Sequence, residues 1–423
     1  MTTRRGFIKA GGLALFGIGL GGIPGFLADA VAGTVAPGLF KRRKIMVCIF
    51  QRGAMDGLMA VTPFTDAYLK AARPGLFMSA ANGQKGRPLI DLDGRFGLHP
   101  AMSAFEAVFR EKRLAIVHGI GSPNNTRSHF DAQDFMESGT PFKKGTETGW
   151  LNRAVGLLGH DAATPFQAVS LTSSLPRSFY GDNPAVAIRN LADFNIQVRG
   201  NQVSAGRTTK TFEDLYDQTS SGLLKETGKE SFDAIKMLQK TDVRNYTPEN
   251  NVVYPASALG NALKQIAQLI KMDVGMEVAF AESGGWDTHF NQGTDTGIFA
   301  RNVNDLSSSM MAFWNDMARY QDDITVMTMT EFGRTVAQNG TGGTDHGRAS
   351  CNFILGNAVS GGRVHGIVNP LVKENLEDGR DLAVTTDFRC VFSEVADKHL
   401  GIHNDKVLFP DWDGKQIGVM RSI

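Results

Sequence analysis

Five short and almost wholly apolar runs recur along the chain, and stretches with helical spacing separate them. The runs cover residues 45–50, 114–118, 167–171, 276–281 and 324–329. Strands without polar alternation are typical of a parallel sheet that is buried on both faces. The helical stretches cover residues 101–111, 129–137, 149–158, 259–272, 299–320 and 388–400. This alternation predicts an α/β fold with a mostly parallel central sheet and helices on both of its faces.

Composition narrows the class of protein. The 423 residues are 42 % apolar and 21 % charged, which suits a globular domain with a large core. The 44 Lys and Arg residues nearly balance the 43 Asp and Glu residues, so the chain lacks the basic surplus that is typical of nucleic-acid-binding domains. A polar segment at about 190–254 lacks a buried strand. We therefore expect a single domain over residues 33–423 with an insertion at that segment.

The N-terminal residues have the three parts of an export signal. Arg4 and Arg5 precede an apolar stretch from about 10 to 27 that is rich in Gly and Ala, and small residues follow at 30–32. The alternative is a membrane anchor, which fits less well because the stretch is short and interrupted by Pro24. The pattern predicts a twin-arginine (Tat) signal over residues 1–32. The mature protein would then be periplasmic or extracellular and would meet the Tat translocase during export.

Other residues of chemical interest carry no predicted role. The three cysteines, Cys48, Cys351 and Cys390, are odd in number and have no CxxC spacing, so a disulfide framework is not predicted. One bridge between Cys351 and Cys390 stays open as an alternative. His99 and His118 stand alone in the sequence and are interpreted as structural residues.

Side chains of the types that bind metals follow three of the predicted strands. They are Asp56 after residues 45–50, Glu282, Asp287 and His289 after residues 276–281, and Glu331, Asp345 and His346 after residues 324–329. Ligands of open α/β sheets bind beyond the carboxyl ends of the strands, so these loops should converge. Mixed carboxylates and imidazoles suit a divalent ion such as Zn, Mn or Mg. The alternative is that each group caps a helix or bonds turn amides.

A second constellation precedes the helix that is predicted at 129–137. Thr126 or Ser128 would place a hydroxyl at the helix N-terminus, where backbone amides and the helix dipole attract an anion. A neighbouring metal would make that hydroxyl a nucleophile, and Arg127 would clamp the oxygens of the anion. The alternative is an ordinary N-cap, with Asp131 in the first turn.

Six phrases in the sequence resemble a known family. They are FQRGAMDGL, GSPNNTRSHFDAQDFMESGT, GGWDTH, TEFGRT, GTDHG and DLAVTTDFR. Together they cover the chain from Lys44 to about Pro410, and they resemble a bacterial family of Tat-exported proteins of unknown function, of the DUF1501 type. That family is similar to the alkaline phosphatase-like superfamily, which includes sulfatases and cofactor-independent phosphoglycerate mutases. The resemblance implies a three-layer sandwich of the alkaline phosphatase type.

The same resemblance implies roles for individual residues. Asp56 corresponds to the first Asp of the superfamily, Ser128 or Thr126 to the nucleophile, Asp287 and His289 to the middle pair, and His346 to the late His. The departure is at Glu331, where the superfamily usually has an Asp-His pair and where Phe332 replaces the histidine. The site would then hold one metal, recruit another histidine such as His129, or have lost catalysis.

Two hypotheses of different class follow. In the first, an exported hydrolase cleaves small-molecule phosphate or sulfate esters through attack by Ser128, and Arg127 or Arg334 stabilises the equatorial oxygens. One or two ions would be held by Asp56, Asp287, His289, Glu331, Asp345 and His346. In the second, the chain is a non-catalytic periplasmic binding or assembly protein on a degenerate scaffold, with an exported partner. A redox role lacks any haem, iron-sulfur or dinucleotide motif.

Overall fold

The computed structural model describes residues 43–81, 86–160, 162, 164–191 and 246–421. The expected signal over residues 1–32 lies outside the described residues, and so does most of the expected insertion at about 190–254. Within the described ranges, every helix is too short or too polar to cross a lipid bilayer.

The part of the chain that the structure describes contains twelve strands and nine α-helices. The strands are β1 (Ile45–Gln51), β2 (Val61–Pro63), β3 (Ile90–Asp91), β4 (Phe96–Leu98), β5 (Leu114–Gly121), β6 (Ala168–Ser170), β7 (Val186–Ala187), β8 (Val278–Ser283), β9 (Ile324–Met329), β10 (Ser350–Gly356), β11 (Val364–His365) and β12 (Thr386–Asp387). The helices are α1 (Gly57–Ala60), α2 (Ala67–Ala72), α3 (Glu106–Arg110), α4 (His129–Ser138), α5 (Trp150–Gly156), α6 (Ala258–Lys271), α7 (Ile298–Asp316), α8 (Phe388–Leu400) and α9 (Asp405–Leu408).

The main sheet has the strand order β11-β5-β10-β9-β1-β8-β6-β7, and β12 also pairs with β5. Strand β1 lies at its centre, parallel to β8 and β9, with Phe50 opposite Glu282 and Met329. All seven residues of β1 are buried. Apart from the two pairs that β10 makes, the pairs in this sheet are parallel. The mostly parallel α/β sheet predicted from the apolar runs is therefore confirmed.

Hydrophobic cores lie on both faces of this sheet. Side chains alternate across a strand, so Val47 and Ile49 of β1 belong to one core, and Cys48 and Phe50 belong to the other. Helices α6 and α7 pack in the first core, and α5 and α8 pack in the second. This arrangement explains why the strands carry no polar alternation, and it makes three layers of helix, sheet and helix.

Strand β10 was not among the predicted strands, and it runs antiparallel to its neighbours β5 and β9. Its reversed direction has a consequence for the site. The loop that leads into β10 lies at the edge where β1, β8 and β9 end. A separate three-stranded antiparallel sheet, in the order β2-β4-β3, was also not predicted.

Helix bounds differ from the prediction at two places. The stretch expected at 101–111 is a 3-10 helix, Pro100–Phe105, followed by α3. The stretch expected at 299–320 is α7, which ends at Asp316, followed by a 3-10 helix, Ala318–Asp323.

The three cysteines are all free, so the bridge between Cys351 and Cys390 that the sequence left open is absent. Burial raises the pKa of the Cys48 and Cys351 thiols.

A buried carboxylate fixes the segment that contains Tyr246 and Tyr254. Asp316 is 1 % exposed and accepts hydrogen bonds from the hydroxyls of Tyr246 at 2.6 Å and Tyr254 at 2.7 Å. It also accepts from Lys271 Nζ at 2.6 Å and from the Glu249 amide at 2.7 Å. Burial alone would raise the pKa of Asp316, but the Lys271 and tyrosine donors lower it.

Replacing Asp316 should therefore destabilise the fold. In Asp316→Ala, Lys271 and the two hydroxyls lose their acceptor, and the free energy of unfolding should fall by about 3 kcal/mol. Urea denaturation measures it, with the exposed Asn304→Ala on the same helix as control. Because the folded pKa of Asp316 is depressed, its contribution is present above the unfolded pKa and is lost as the pH falls through the folded pKa. A variant as stable as Asn304→Ala would contradict this role.

Candidate metal centre

Three loops and one helix meet at the edge of the sheet where β1, β8 and β9 end. His129 is the first residue of α4, and Asp287 and His289 lie in the loop after β8. His346 lies in the loop before β10. Because the parallel strands end together and β10 begins there, these four side chains are brought into contact from distant parts of the sequence.

The four side chains point their ligand atoms at one another. The Nε2 atom of His346 lies 3.0 Å from Nε2 of His129 and 2.9 Å from Nε2 of His289. The Asp287 Oδ1 atom lies 3.1 Å from Nε2 of His289, 3.2 Å from Nε2 of His346 and 3.6 Å from Nε2 of His129. The ligand atoms of His129, Asp287 and His346 all lie within 4.8 Å of one another, which makes the group a candidate metal site.

Each imidazole of this cluster is held by an acceptor on its other nitrogen. The Nδ1 atom of His129 lies 2.8 Å from Glu331 Oε1, and that of His289 lies 3.0 Å from Asp345 Oδ1. The Nδ1 atom of His346 lies 2.9 Å from the backbone carbonyl of Arg127. Carboxylates and carbonyls only accept, so these partners assign the proton of each ring to Nδ1. A neutral ring then presents a lone pair on Nε2.

Three lone pairs and a carboxylate oxygen that face one another need a positive charge between them. Four ligands at the usual Zn–N distance of about 2.0–2.1 Å would lie roughly 3.3 Å apart around a tetrahedral ion. Five of the six distances among these atoms run from 2.9 to 3.6 Å, and His289 lies outside the group whose ligand atoms are all within 4.8 Å of one another. The alternative source of that positive charge is an extra proton on one imidazole ring. A carboxylate or carbonyl behind each histidine is the arrangement that orients ligands at metal sites.

The charges around the cluster shift its pKa values in opposite directions. The hydrogen bond that His129 donates to Glu331 raises the pKa of His129. Burial, followed by the charge of His129, lowers the pKa of His346. Partial burial would raise the pKa of Asp287, but the hydrogen bond and charge of Arg334 lower it. These directions favour neutral His346 and ionised Asp287, which is the form in which they bind metals, whereas the raised pKa of His129 favours its protonated form.

Phe332 stands where the family resemblance implies a ligand histidine, and it packs on two rings of the cluster. Its ring centroid lies 4.9 Å from that of His129 and 5.1 Å from that of His346. It is 2 % exposed and joins Ala54 and Ala132 in a small apolar cluster. Phe332 therefore supports the orientation of both imidazoles from one side.

Two expected ligands lie behind the histidines instead of facing the cluster. Glu331 is fully buried, and its Oε1 accepts from His129, from the Gly53 amide at 2.9 Å and from Gln133 Nε2 at 3.0 Å. Asp345 Oδ1 accepts from His289 and from Asn339 Nδ2 at 3.0 Å. The donors already bound to these carboxylates explain the difference from the expectation.

Asp56, which was expected to bind metal, is held elsewhere. It is 1 % exposed, and its carboxylate pairs with Arg73 at 2.8 Å. It also accepts from Gln292 Nε2 at 2.8 Å and, as the N-cap of α1, from the Met59 amide at 3.2 Å. Both of its oxygens are used in these contacts, so the structure places Asp56 in a buried ion pair and not among the ligand atoms that converge.

The two arginines expected to bind an anion are also occupied. Arg334 is buried and donates to Asp287 Oδ1 at 2.5 Å. Its other donors reach the backbone carbonyls of Gly53, Ala54, Trp286 and Thr344. Arg127 donates to Asp381 at 2.5 Å and to Asp378 at 2.6 Å. Arg334 therefore ties the site loops together and fixes Asp287, while Arg127 contributes its carbonyl to His346.

Ser128 and Thr126 lie at the start of α4, as expected. Ser128 occupies the N-cap position, but its side chain makes no capping hydrogen bond. The Thr126 hydroxyl accepts from the Ser128 amide at 3.2 Å. Within the described ranges the Ser128 hydroxyl has no hydrogen-bond partner, so the N-cap alternative does not account for it. Asp131 in the first turn pairs with Lys144.

Sequence reasoning missed two residues that support the cluster. Gln133 donates to Glu331, and Arg52 Nη1 donates to Gln133 Oε1 at 3.0 Å. Gln133 lies four residues after His129 and so shares its helix face, which is a signal that the sequence contained. Arg380 Nη2 donates to the carbonyl of His346 at 2.7 Å, and nothing in the local sequence indicated that contact.

The lone histidines lie away from this cluster. His118 Nε2 bonds the carbonyl of Val61 at 3.0 Å, and His99 Nε2 bonds that of Thr294 at 2.9 Å. Burial lowers the pKa of each to about 4. Both rings are used in packing.

Residues 43–408 match the family described as protein of unknown function, DUF1501. The match covers most of the chain, which therefore belongs to that family, and the membership that the six phrases predicted is confirmed. A comparison with curated proteins finds no match.

Solved structures with a similar chain path are distant in sequence. A protein of the alkaline phosphatase superfamily from Vibrio parahaemolyticus has a TM-score of 0.35 and 10 % identity, covering 78 % of this chain and 65 % of its own. The PsFucS1 sulfatase from Pseudoalteromonas sp. has a TM-score of 0.38 and 11 % sequence identity, and the comparison covers 90 % of this chain and 74 % of the sulfatase. The alkaline phosphatase from the Antarctic bacterium TAB5 has a TM-score of 0.32 and 10 % sequence identity, and the comparison covers 75 % of this chain and 93 % of the phosphatase. This chain thus spans just under two thirds of the Vibrio protein.

Two substitutions test separately whether the cluster binds zinc and whether the ion pair of Asp56 and Arg73 stabilises the fold. In His346→Ala, zinc retained after incubation and gel filtration should fall at least about tenfold, because the central Nε2 ligand is removed. In Asp56→Asn, zinc retention should be unchanged, whereas the free energy of unfolding should fall by about 3 kcal/mol because Arg73 is left without its carboxylate. Elemental analysis and urea denaturation measure the two effects. Zinc loss in Asp56→Asn with retention in His346→Ala would contradict this assignment.

Proposed function

We propose that this member of the DUF1501 family is a hydrolase of phosphate or sulfate esters that uses one divalent metal ion. The observation that carries the proposal is the convergence of the ligand atoms of His129, Asp287 and His346, with Nε2 of His289 lying 2.9 Å from that of His346. Glu331 and Asp345 lie behind the histidines and Asp56 pairs with Arg73, away from the Nε2 atoms, which leaves a ligand set for a single ion. Three imidazoles favour Zn over Mn and Mg, which prefer oxygen ligands.

The metal and the helix would share the negative charge of the substrate. When bound, a divalent ion supplies Lewis-acid stabilisation of an ester oxygen. The amides in the first turn of α4 have no intrahelical acceptor, and the helix dipole adds partial positive charge there. An anionic head group placed between the cluster and this helix end would be held from both sides.

Ser128 is the proposed nucleophile because its hydroxyl lies directly before His129 and is free of the capping bond. Its Oγ would form a bond to phosphorus or sulfur as the bond to the ester oxygen breaks. The departing alcohol would take the hydroxyl proton. Water would then cleave the ester on Ser128, which restores the hydroxyl and releases phosphate or sulfate.

Arg380 is the arginine that we propose for binding the oxygens of the anion, in place of Arg127 and Arg334. Its side chain is 46 % exposed, and it lies beside the cluster because Nη2 donates to the His346 carbonyl. Its Nε donates to Asp381 at 3.0 Å. Within the described ranges Nη1 has no partner, so Arg380 keeps donors free for a ligand.

The cellular location belongs to the same proposal. The twin-arginine pattern over residues 1–32 supports export to the periplasm, with the Tat translocase as a transient partner. A hydrolase that is exported already folded would carry its metal from the cytoplasm.

A binding or assembly role is the second candidate, and Phe332 is the observation that favours it. A one-ion site lacks the pair of ions, about 3.5–4 Å apart, that stabilises both attacking and leaving oxygens in two-metal hydrolases. The cluster would then serve to hold a ligand or partner without turning it over.

Replacing Ser128 tests the two candidates against each other. The zinc-loaded protein should hydrolyse p-nitrophenyl phosphate or p-nitrophenyl sulfate, and Ser128→Ala should abolish turnover because the attacking oxygen is gone. Zinc retention should be unchanged, since Ser128 is not in the cluster. Release of p-nitrophenol, followed at 405 nm, measures the rate.

Two control variants accompany this measurement. Thr126→Ala should keep most of the activity, and Arg380→Met should raise KM while the zinc content stays that of the wild type. Wild-type protein that holds zinc but hydrolyses neither ester, or Ser128→Ala that stays fully active, would contradict the hydrolase mechanism. The first of these outcomes would favour the binding role.

A further inference from the structure

Two phenylalanines with exposed rings lie next in sequence to histidines of the candidate metal site. Among the described residues, the exposed phenylalanines are Phe130 at 90 %, Phe290 at 65 % and Phe142 at 73 %. Phe130 directly follows His129, and Phe290 directly follows His289. Single exposed apolar residues are common, but exposed aromatic rings grouped at a site mark surfaces that bind other molecules.

Both phenylalanines adjoin residues of the cluster in the sequence. Consecutive Cα atoms are about 3.8 Å apart, so each ring is attached next to a residue of the cluster. The ring centroids of His289 and Phe290 are 6.4 Å apart. Asp287 is 48 % exposed and Asp345 is 56 % exposed, so the cluster is open to solvent on this side.

The charges around these rings indicate what kind of molecule they would bind. With a metal ion bound, the cluster would attract an anionic head, and Arg380 beside it has a free Nη1 within the described ranges. Phenyl rings offer no hydrogen bonds, so they favour the apolar surface of a ligand over its polar groups. A ligand that uses both features must carry an anionic head next to an aromatic or other apolar ring.

We propose that Phe130 and Phe290 form an apolar rim that binds the organic part of the ester, so that the preferred substrates are aryl or similarly apolar esters. The proposal rests on the proposed function, because it takes the cluster as the place of the anionic head. The rim selects among esters but takes no part in bond cleavage.

Binding of two phosphonates tests the rim without any turnover. Phenylphosphonate and methylphosphonate share the anionic head and differ in the ring, and neither has an ester bond to hydrolyse. Calorimetry on the zinc-loaded protein should give about tenfold tighter binding of phenylphosphonate. In the Phe130→Ala, Phe290→Ala double variant the ratio should fall below about twofold, while methylphosphonate affinity and zinc content stay unchanged.

Phe142→Ala is the matched control. It removes an equally exposed ring that does not follow a cluster residue, and it should keep the tenfold preference. Both rim residues are so exposed that the double variant should unfold at the same urea concentration as the wild type.

The possible outcomes distinguish failure of the proposed rim from failure of the proposed function. Equal binding of both phosphonates by zinc-loaded wild type, or an unchanged ratio in the double variant, overturns the rim and leaves the metal site standing. A chain that holds no zinc and binds neither phosphonate overturns both proposals. Sedimentation of the wild type but not the double variant with phosphatidylglycerol vesicles would assign the rings to a lipid surface and overturn the rim.

Discussion

The site depends on three protons, one on the Nδ1 atom of each cluster histidine. They turn the three Nε2 lone pairs inward, towards Asp287. The acceptors are themselves fixed. Glu331 is buried and bound by the Gly53 amide, and Gly53 has a φ of 115°, where an added Cβ would lie 2.6 Å from the Asp287 amide. The close approach of these two loops therefore requires glycine at this position.

The direction of one strand makes this meeting possible. Strands β1, β8 and β9 end at one edge, and β10 begins there because it runs the other way. Arg334 then joins the loops by donating to carbonyls of three of them and to Asp287. A buried guanidinium with all three nitrogens hydrogen-bonded acts as a rigid brace, which a metal site needs if its ligands are to be held in place before the ion binds.

Much of the fold was predictable, and part of the site was not. The apolar runs predicted the central strands because strands covered on both faces cannot alternate. Strand β10 contains Ser350 and Asn352, which hid its buried character. The sequence placed carboxylates at the correct edge but could not tell Asp287, which faces the Nε2 atoms, from Glu331 and Asp345, which face Nδ1 atoms. That difference depends on which ring nitrogen each carboxylate meets, and long-range contacts decide it.

Anomalous diffraction at the zinc absorption edge, from crystals of the zinc-loaded protein, tests the central claim most directly. The account predicts one peak per chain, about 2.0–2.1 Å from the Nε2 atoms of His129, His289 and His346 and within reach of Asp287 Oδ1. It would be contradicted by the absence of a peak there, with His129 and His346 remaining in direct hydrogen-bond contact. In that case an extra proton, and not a metal, would hold the imidazoles together.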